Sequence, residues 1–179
     1  MKEKINEILM SNNLNENSEL ILEYIPELNN MVGFEHKHPH HHLDVWNHTL
    51  AVVGGLENSS LETKMAGLLH DIGKPFSYQD DEVRHFHGHP EVSAKMTKEI
   101  LTRLEYDNKF IEDVYYLVKT HDSIINPDKL DNTSKMIQKR LELQYADAKA
   151  HSPDKVQKRL DFLDEINNRL KEEKNVIKM

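Results

Sequence analysis

Apolar residues recur at intervals of three and four through nearly the whole chain, and no stretch of useful length alternates them with polar ones. That spacing gathers apolar side chains on one face of an α-helix. Residues 2–10 carry Ile5, Ile8 and Leu9 on one side. Ser18 is a predicted cap for residues 19–24, and Pro26 starts a further turn through Leu28 and Met31. Residues 33–42 break the pattern, with five histidines crowded around Pro39.

Asp44 reads as the N-cap of a helix through Trp46, Leu50 and Val53, stopped by Gly54-Gly55. Ser59-Ser60-Leu61-Glu62 has the spacing of a capping box. It opens a helix with Leu61, Met65, Leu68 and Leu69 that ends near His70, where Gly73 and Pro75 act as breakers. Residues 77–89 form a polar loop, long enough to signal function or mobility. Pro90 suits the first position of a helix containing Val92, Met96, Ile100, Leu101 and Leu104. Asn108 begins another with Phe110, Ile111, Val114, Leu117 and Val118, ending near His121. A helix from Ser134 and a final one after Pro153 complete the prediction. The fold class is all-α, with a single domain over residues 1–179.

Composition narrows this picture. The 179 residues include no cysteine, which excludes disulfides and thiolate metal sites and leaves transition metals to His, Asp or Glu. No apolar run approaches the roughly 20 residues of a bilayer span, and the first residues lack a signal-peptide core. A cytoplasmic protein without membrane partners is expected. The net charge of −8 argues against a broad nucleic-acid-binding surface, yet leaves room for a small phosphate ester at a metal site.

The densest chemical signal is Leu68-Leu69-His70-Asp71-Ile72-Gly73-Lys74-Pro75. Adjacent side chains within a helix diverge by about 100°, but at a helix end the second residue is released from that constraint. His48 borders an inward stripe, His89 precedes a helix start, His121 ends a helix, and Asp147 lies in an apolar tract. Five helices thus each supply one or two groups that could face a common interior, as bundle cores build metal sites. Imidazole with carboxylate suits first-row divalent ions better than calcium or magnesium. Four histidines and two aspartates suffice for two ions, with Asp71 as the bridge. Two ions about 3.5–4 Å apart activate a bridging water and clamp phosphoryl oxygens. Lys74 follows at once and can stabilise phosphate charge.

The order His48, His70-Asp71, His89, His121, Asp147 resembles the HD-domain phosphohydrolase superfamily. That resemblance covers roughly residues 19–151, with the terminal helices expected to pack on this core. It implies that His48, His70, Asp71 and Asp147 hold one ion, and Asp71, His89 and His121 a second. One or two divalent ions are expected (Fe, Mn, Ni, Co or Zn, with Mg as a further candidate). More narrowly, Pro26-Glu27-Leu28, the run from His41 to Leu50, the Leu68 to Pro75 stretch and Phe86-His87-Gly88-His89 resemble the HD domain attached to bacterial CCA-adding tRNA nucleotidyltransferases. That attached domain is associated with 2′,3′-cyclic phosphodiesterase, 2′-nucleotidase and phosphatase activities. The nucleotidyltransferase portion is absent from these residues, so a free-standing copy that keeps the hydrolytic site is expected.

The expected reaction is attack of a metal-bound hydroxide on a small, nucleotide-like phosphate ester. Asp71 and Lys74 are the expected catalytic residues, Lys74 and His87 the expected substrate contacts, with residues 77–89 shaping the pocket. Alternatives are hydrolysis of nucleotide anhydrides such as diadenosine tetraphosphate, or a non-catalytic nucleotide sensor or RNA-processing partner that binds without turnover. Taken singly, His121 reads as a partner of helix-end carbonyls and Asp147 as a solvated helix residue. The cluster His36, His38, His40, His41 and His42 reads mostly as a solvated loop at the mouth of the site. His85 shares with His87 the choice between substrate and solvent, and Asp122 stands behind the site or on the surface. Lys158, Arg159, Arg169 and Lys171 read as a solvated face of the final helix.

Overall fold

Local capping chemistry sets where the helices begin. The computed structural model describes residues 1–126 and 135–178. Helices α1 (Lys2–Met10), α2 (Ser18–Tyr24), α3 (Val45–Gly54), α4 (Leu61–Leu69), α5 (His89–Arg103), α6 (Asn108–Thr120), α7 (Lys135–Lys149) and α8 (Gln157–Lys178) follow one another, joined by short 3-10 turns. Asp44 caps α3: one carboxylate oxygen accepts from Asn47 N at 2.6 Å and the other from Gly33 N at 2.9 Å. Asp107 caps α6 through Phe110 N.

Several starts differ from the sequence reading. Ser18 is the first helical residue of α2, not its cap, and Asn17 precedes it with no side-chain cap bond. The cap of α4 is Ser60, whose hydroxyl accepts from Thr63 N, so the box shifts by one from Ser59 and Glu62. Glu62 instead pairs with Lys139. Helix α5 starts at His89, one residue before Pro90, after Gly88 in a left-handed conformation (φ 78°). The predicted start at Ser134 lies outside the described residues.

Helix α4 is the centre of the fold. Every residue from Thr63 to Leu69 is buried, and α1, α3, α5, α6 and α7 all pack against it. Lys64 lies within that buried stretch. Its ammonium donates to Leu9 O (3.2 Å), Asn12 Oδ1 (2.7 Å) and Glu57 O (3.0 Å), which ties the end of α1 to the body of the protein.

One apolar cluster joins α1–α6, and a smaller one joins α7, α8 and Ile125. Helix α7 serves both: Leu143 and Ala146 face the larger cluster, Leu141 and Ala148 the smaller. That double anchorage fixes the position of Asp147 between them. No described helix is long and apolar enough to cross a membrane.

The polar loop at residues 77–89 holds a feature that the sequence pattern does not show. Strands β1 (Gln79–Asp80) and β2 (Arg84–His85) pair antiparallel, with Gln79 opposite His85 and Asp80 opposite Arg84. Two residues are too few for alternation to register. Arg84 holds this hairpin in place. Its guanidinium grips Asp80 at 2.6 and 3.0 Å, donates to Glu35 O at 3.0 Å, and lies over the Phe34 and Tyr78 rings. The hairpin is thereby fastened to the histidine-rich loop.

Candidate metal centre

Six side chains from five helices and their ends converge beside α4. His48 comes from α3, His70 and Asp71 from the end of α4, His89 from the start of α5, His121 from the end of α6, and Asp147 from α7. All six are buried. Their ligand atoms fall into two sets, each within 4.8 Å: His48, His70, Asp71 and Asp147, and then Asp71, His89 and His121. The resemblance to the HD superfamily implies the same division of these residues.

Asp71 belongs to both sets through different oxygens. Its Oδ2 lies 3.1 Å from His70 Nε2 and 3.6 Å from His48 Nε2, while Oδ1 lies 3.2 Å from His89 Nε2 and 3.5 Å from His121 Nε2. Asp147 Oδ1 closes the first set at 2.9 Å from His48 Nε2 and 3.4 Å from His70 Nε2. Donors about 2.0–2.2 Å from a shared ion stand about 3 Å apart, so the spacing fits bound cations.

Backbone carbonyls fix which nitrogen of each ring faces inward. His70 Nδ1 donates to Gly67 O (2.7 Å), His89 Nδ1 to Phe86 O (2.9 Å) and His121 Nδ1 to Val118 O (2.6 Å), each three residues back. A carbonyl can only accept, so Nδ1 carries the proton and a neutral ring presents a bare Nε2 lone pair. His48 repeats the arrangement more loosely, with Ala150 O at 3.4 Å. His89 and His121 consequently aim two lone pairs at each other across 3.2 Å. A metal ion between them, or a proton on one of the rings, satisfies both nitrogens. His70 Nε2 and Asp71 Oδ2 are likewise buried without a hydrogen-bond partner, although they lie close together. They converge on a common point rather than on each other, as ligands of one ion do. The residues fit a pair of divalent cations.

Comparison with known proteins agrees with this geometry. Residues 40–166 match the HD domain model. The chain belongs to the HD domain family. A CC-adding tRNA nucleotidyltransferase of Thermus thermophilus is 39% identical over 105 residues, covering 55% of this chain and 24% of the relative. An A-adding tRNA nucleotidyltransferase of Deinococcus radiodurans is 39% identical over 88 residues, 45% of this chain and 20% of its own. A multifunctional CCA protein of Legionella pneumophila (strain Paris) is 28% identical over 100 residues, 54% and 24% respectively. The chain spans about a quarter or less of the length of these curated relatives.

Electrostatics favour positive charge in this HD site. Burial raises the Asp71 carboxyl, but His70 and Lys74 overcome it and hold the group well below the usual range. At Asp147 burial acts in the same upward sense, and His48, His70 and Arg159 outweigh it. Burial lowers His70, yet Asp71 and Asp147 reverse this and push it up to about 10. Without an ion, a proton on His70 compensates the two carboxylates, and metal binding would displace it.

Lys74 is buried, 3.2 Å from Asp71 Oδ2 and 5.1 Å from the centre of the Phe86 ring. It borders a pocket of about 340 Å³ that reaches Asp71, His89, His121 and Asp147. His87 is exposed at the mouth of this pocket, stacked on His85 at 5.5 Å. Asp122 is exposed at the same rim.

Three groups escape the sequence reading. His36 is buried, not solvated: Nδ1 donates to Leu43 O, and Nε2 accepts from Lys74 Nζ at 3.0 Å. Burial and the Lys74 charge lower its pKa to about 3, which keeps that nitrogen an acceptor. His41 stacks on it at 3.8 Å and is half-buried. Arg159 leaves the solvated face of α8 and donates to Asp147 Oδ2 at 3.1 Å. A polar-rich loop and a mixed-charge helix hide such residues, because no apolar periodicity marks them as inward.

Proposed function

We propose that this HD domain is a metal-dependent phosphohydrolase acting on small nucleotide-like phosphate esters, of the cyclic phosphodiesterase, nucleotidase or phosphatase type. One observation carries the reading: Asp71 directs its two oxygens to two separate sets of imidazoles at the floor of a pocket bordered by Lys74. Divalent ions held there would lower the pKa of a bound water and neutralise charge on phosphoryl oxygens.

The chain's own groups account for the remaining requirements. His48, His70, His89 and His121 are oriented by carbonyls, so the site needs little reorganisation. Asp71 would fix the spacing of the two cation positions. Lys74 would bind a phosphate oxygen, and its contacts with Asp71 and His36 restrain the otherwise flexible stem. Phe86 covers one side of the ammonium and limits water around it. A pocket volume near 340 Å³ lies within the range of small-ligand sites and accommodates a mononucleotide-sized ester.

The test uses metal-free and metal-loaded protein against 2′,3′-cyclic nucleotides, 2′-nucleotides, simple phosphomonoesters and diadenosine tetraphosphate. Turnover of the esters is expected only with divalent metal, and Asp71→Ala should abolish it. Full activity in that variant would exclude the mechanism. Cleavage of the tetraphosphate alone would move the assignment to nucleotide anhydrides, and binding without product would make the domain a sensor.

A further inference from the structure

Beyond the two sets above, one more group of metal-ligating side chains stands among the described residues. His41, His48 and His151 bring their ligand atoms within 4.8 Å of one another. The His48 and His151 rings stack at 5.3 Å and 25°, and His41 meets His151 edge-on at 4.4 Å. His41 Nδ1 is buried with no hydrogen-bond partner. His41 and His151 are half-buried and line the same pocket that leads to Asp71 and Asp147. Three imidazoles suit a first-row transition-metal ion and are a poor match for calcium or magnesium.

His48 belongs to this trio and to the inner set. Its Nδ1 faces Ala150 O, so Nε2 is the nitrogen left to ligate and can serve one ion at a time. An ion held by the trio is therefore one ligand exchange from the inner set. The next ligand is at hand: Asp147 Oδ1 lies 3.7 Å from His151 Nε2 and 2.9 Å from His48 Nε2. The order of burial runs the same way, from half-buried His41 and His151 to fully buried His48, His70 and Asp71.

We propose that His41, His48 and His151 form a loading site, where an incoming transition-metal ion is captured before it passes through His48 and Asp147 to the inner set. This rests on the reading of that inner set as a metal site, and is independent of which substrate is hydrolysed. Once the inner set is full, the trio has lost His48 and releases its claim on metal.

Stopped-flow mixing of metal-free full-length protein with cobalt(II), followed by visible absorption, tests the proposal. The native protein should show a first phase that scales with cobalt concentration and a second that does not. His41→Ala combined with His151→Ala should slow filling about tenfold, equivalent to about 1.4 kcal/mol on the barrier. The final cobalt content per chain should be unchanged. Filling at the native rate would overturn the proposal, as would a lower final content, which would make the trio a resident site. Circular dichroism checks the fold, and His151→Ala alone carries the same expectations if the double variant loses helicity. Cobalt arrival is read without substrate. Unchanged filling would thus leave the phosphohydrolase reading standing, and a filled but inactive enzyme would remove that reading while leaving the loading site.

Discussion

Two buried basic side chains show how much depends on single hydrogen-bond partners. His36 is a positioning residue for Lys74, since its Nε2 accepts from the ammonium while Leu43 O holds its other nitrogen. Losing a bond to a charged group costs about 1.5–3 kcal/mol. His36→Phe should accordingly raise KM for a phosphate ester about tenfold or more, whereas His36→Gln, which keeps an acceptor, should recover part of it. Steady-state kinetics on both variants decide the matter, and an unchanged KM for the phenylalanine variant would refute the role. Lys64 acts on stability instead. Lys64→Met removes the donor shared by Leu9 O, Asn12 Oδ1 and Glu57 O and should cost about 1–3 kcal/mol in urea unfolding. A change below about 0.5 kcal/mol would show that water replaces the ammonium freely.

The turn after α4 places the motif residues, and Gly73 shows how tightly it packs on α5. A Cβ there would lie 2.6 Å from Ser93 N, 2.8 Å from Ser93 Oγ and 3.0 Å from His89 O. Gly73 N also donates to Ser93 Oγ at 2.8 Å. The reason for glycine is close approach, since its φ of −82° is ordinary. Gly73→Ala should push α5 outward, costing about 1–3 kcal/mol by overpacking and loosening His89. Denaturation midpoints together with metal content per chain report both effects. At this scale the sequence was highly legible where Asp44 and the breakers Gly73 and Pro75 act locally, whereas the Asp107 cap of α6 emerged only with the structure. The two-residue strands were not, and neither was the one-residue shift from Ser59 to Ser60, since the choice between adjacent serines depends on which hydroxyl meets Thr63 N. The inner histidines could be singled out in advance because each sits at a helix end or beside an apolar stripe, while their division into two sets came from the resemblance to the HD superfamily. His36, His41 and Arg159 owe their inward placement to contacts made across the fold, which periodicity cannot carry.

Across the whole molecule, α8 reaches back to the site from the smaller apolar cluster. Arg159 grips Asp147 Oδ2 and leaves Oδ1 to face His48 and His70. Removing a partner that orients a metal ligand weakens metal affinity about 10–100-fold. Titration calorimetry of Arg159→Ala should show that loss with helical content preserved, and native affinity would mean that α7 alone orients the carboxylate.

His48 and Asp147 stand 99 positions apart, yet their side chains meet at 2.9 Å. In a chain with no cysteine, an ion gripped by both would act as a covalent staple does, removing freedom from the unfolded ensemble. Closing a loop of roughly 100 residues is worth about 4–5 kcal/mol in the chain-entropy picture. Chelation should therefore lower the melting temperature as well as silence the chemistry.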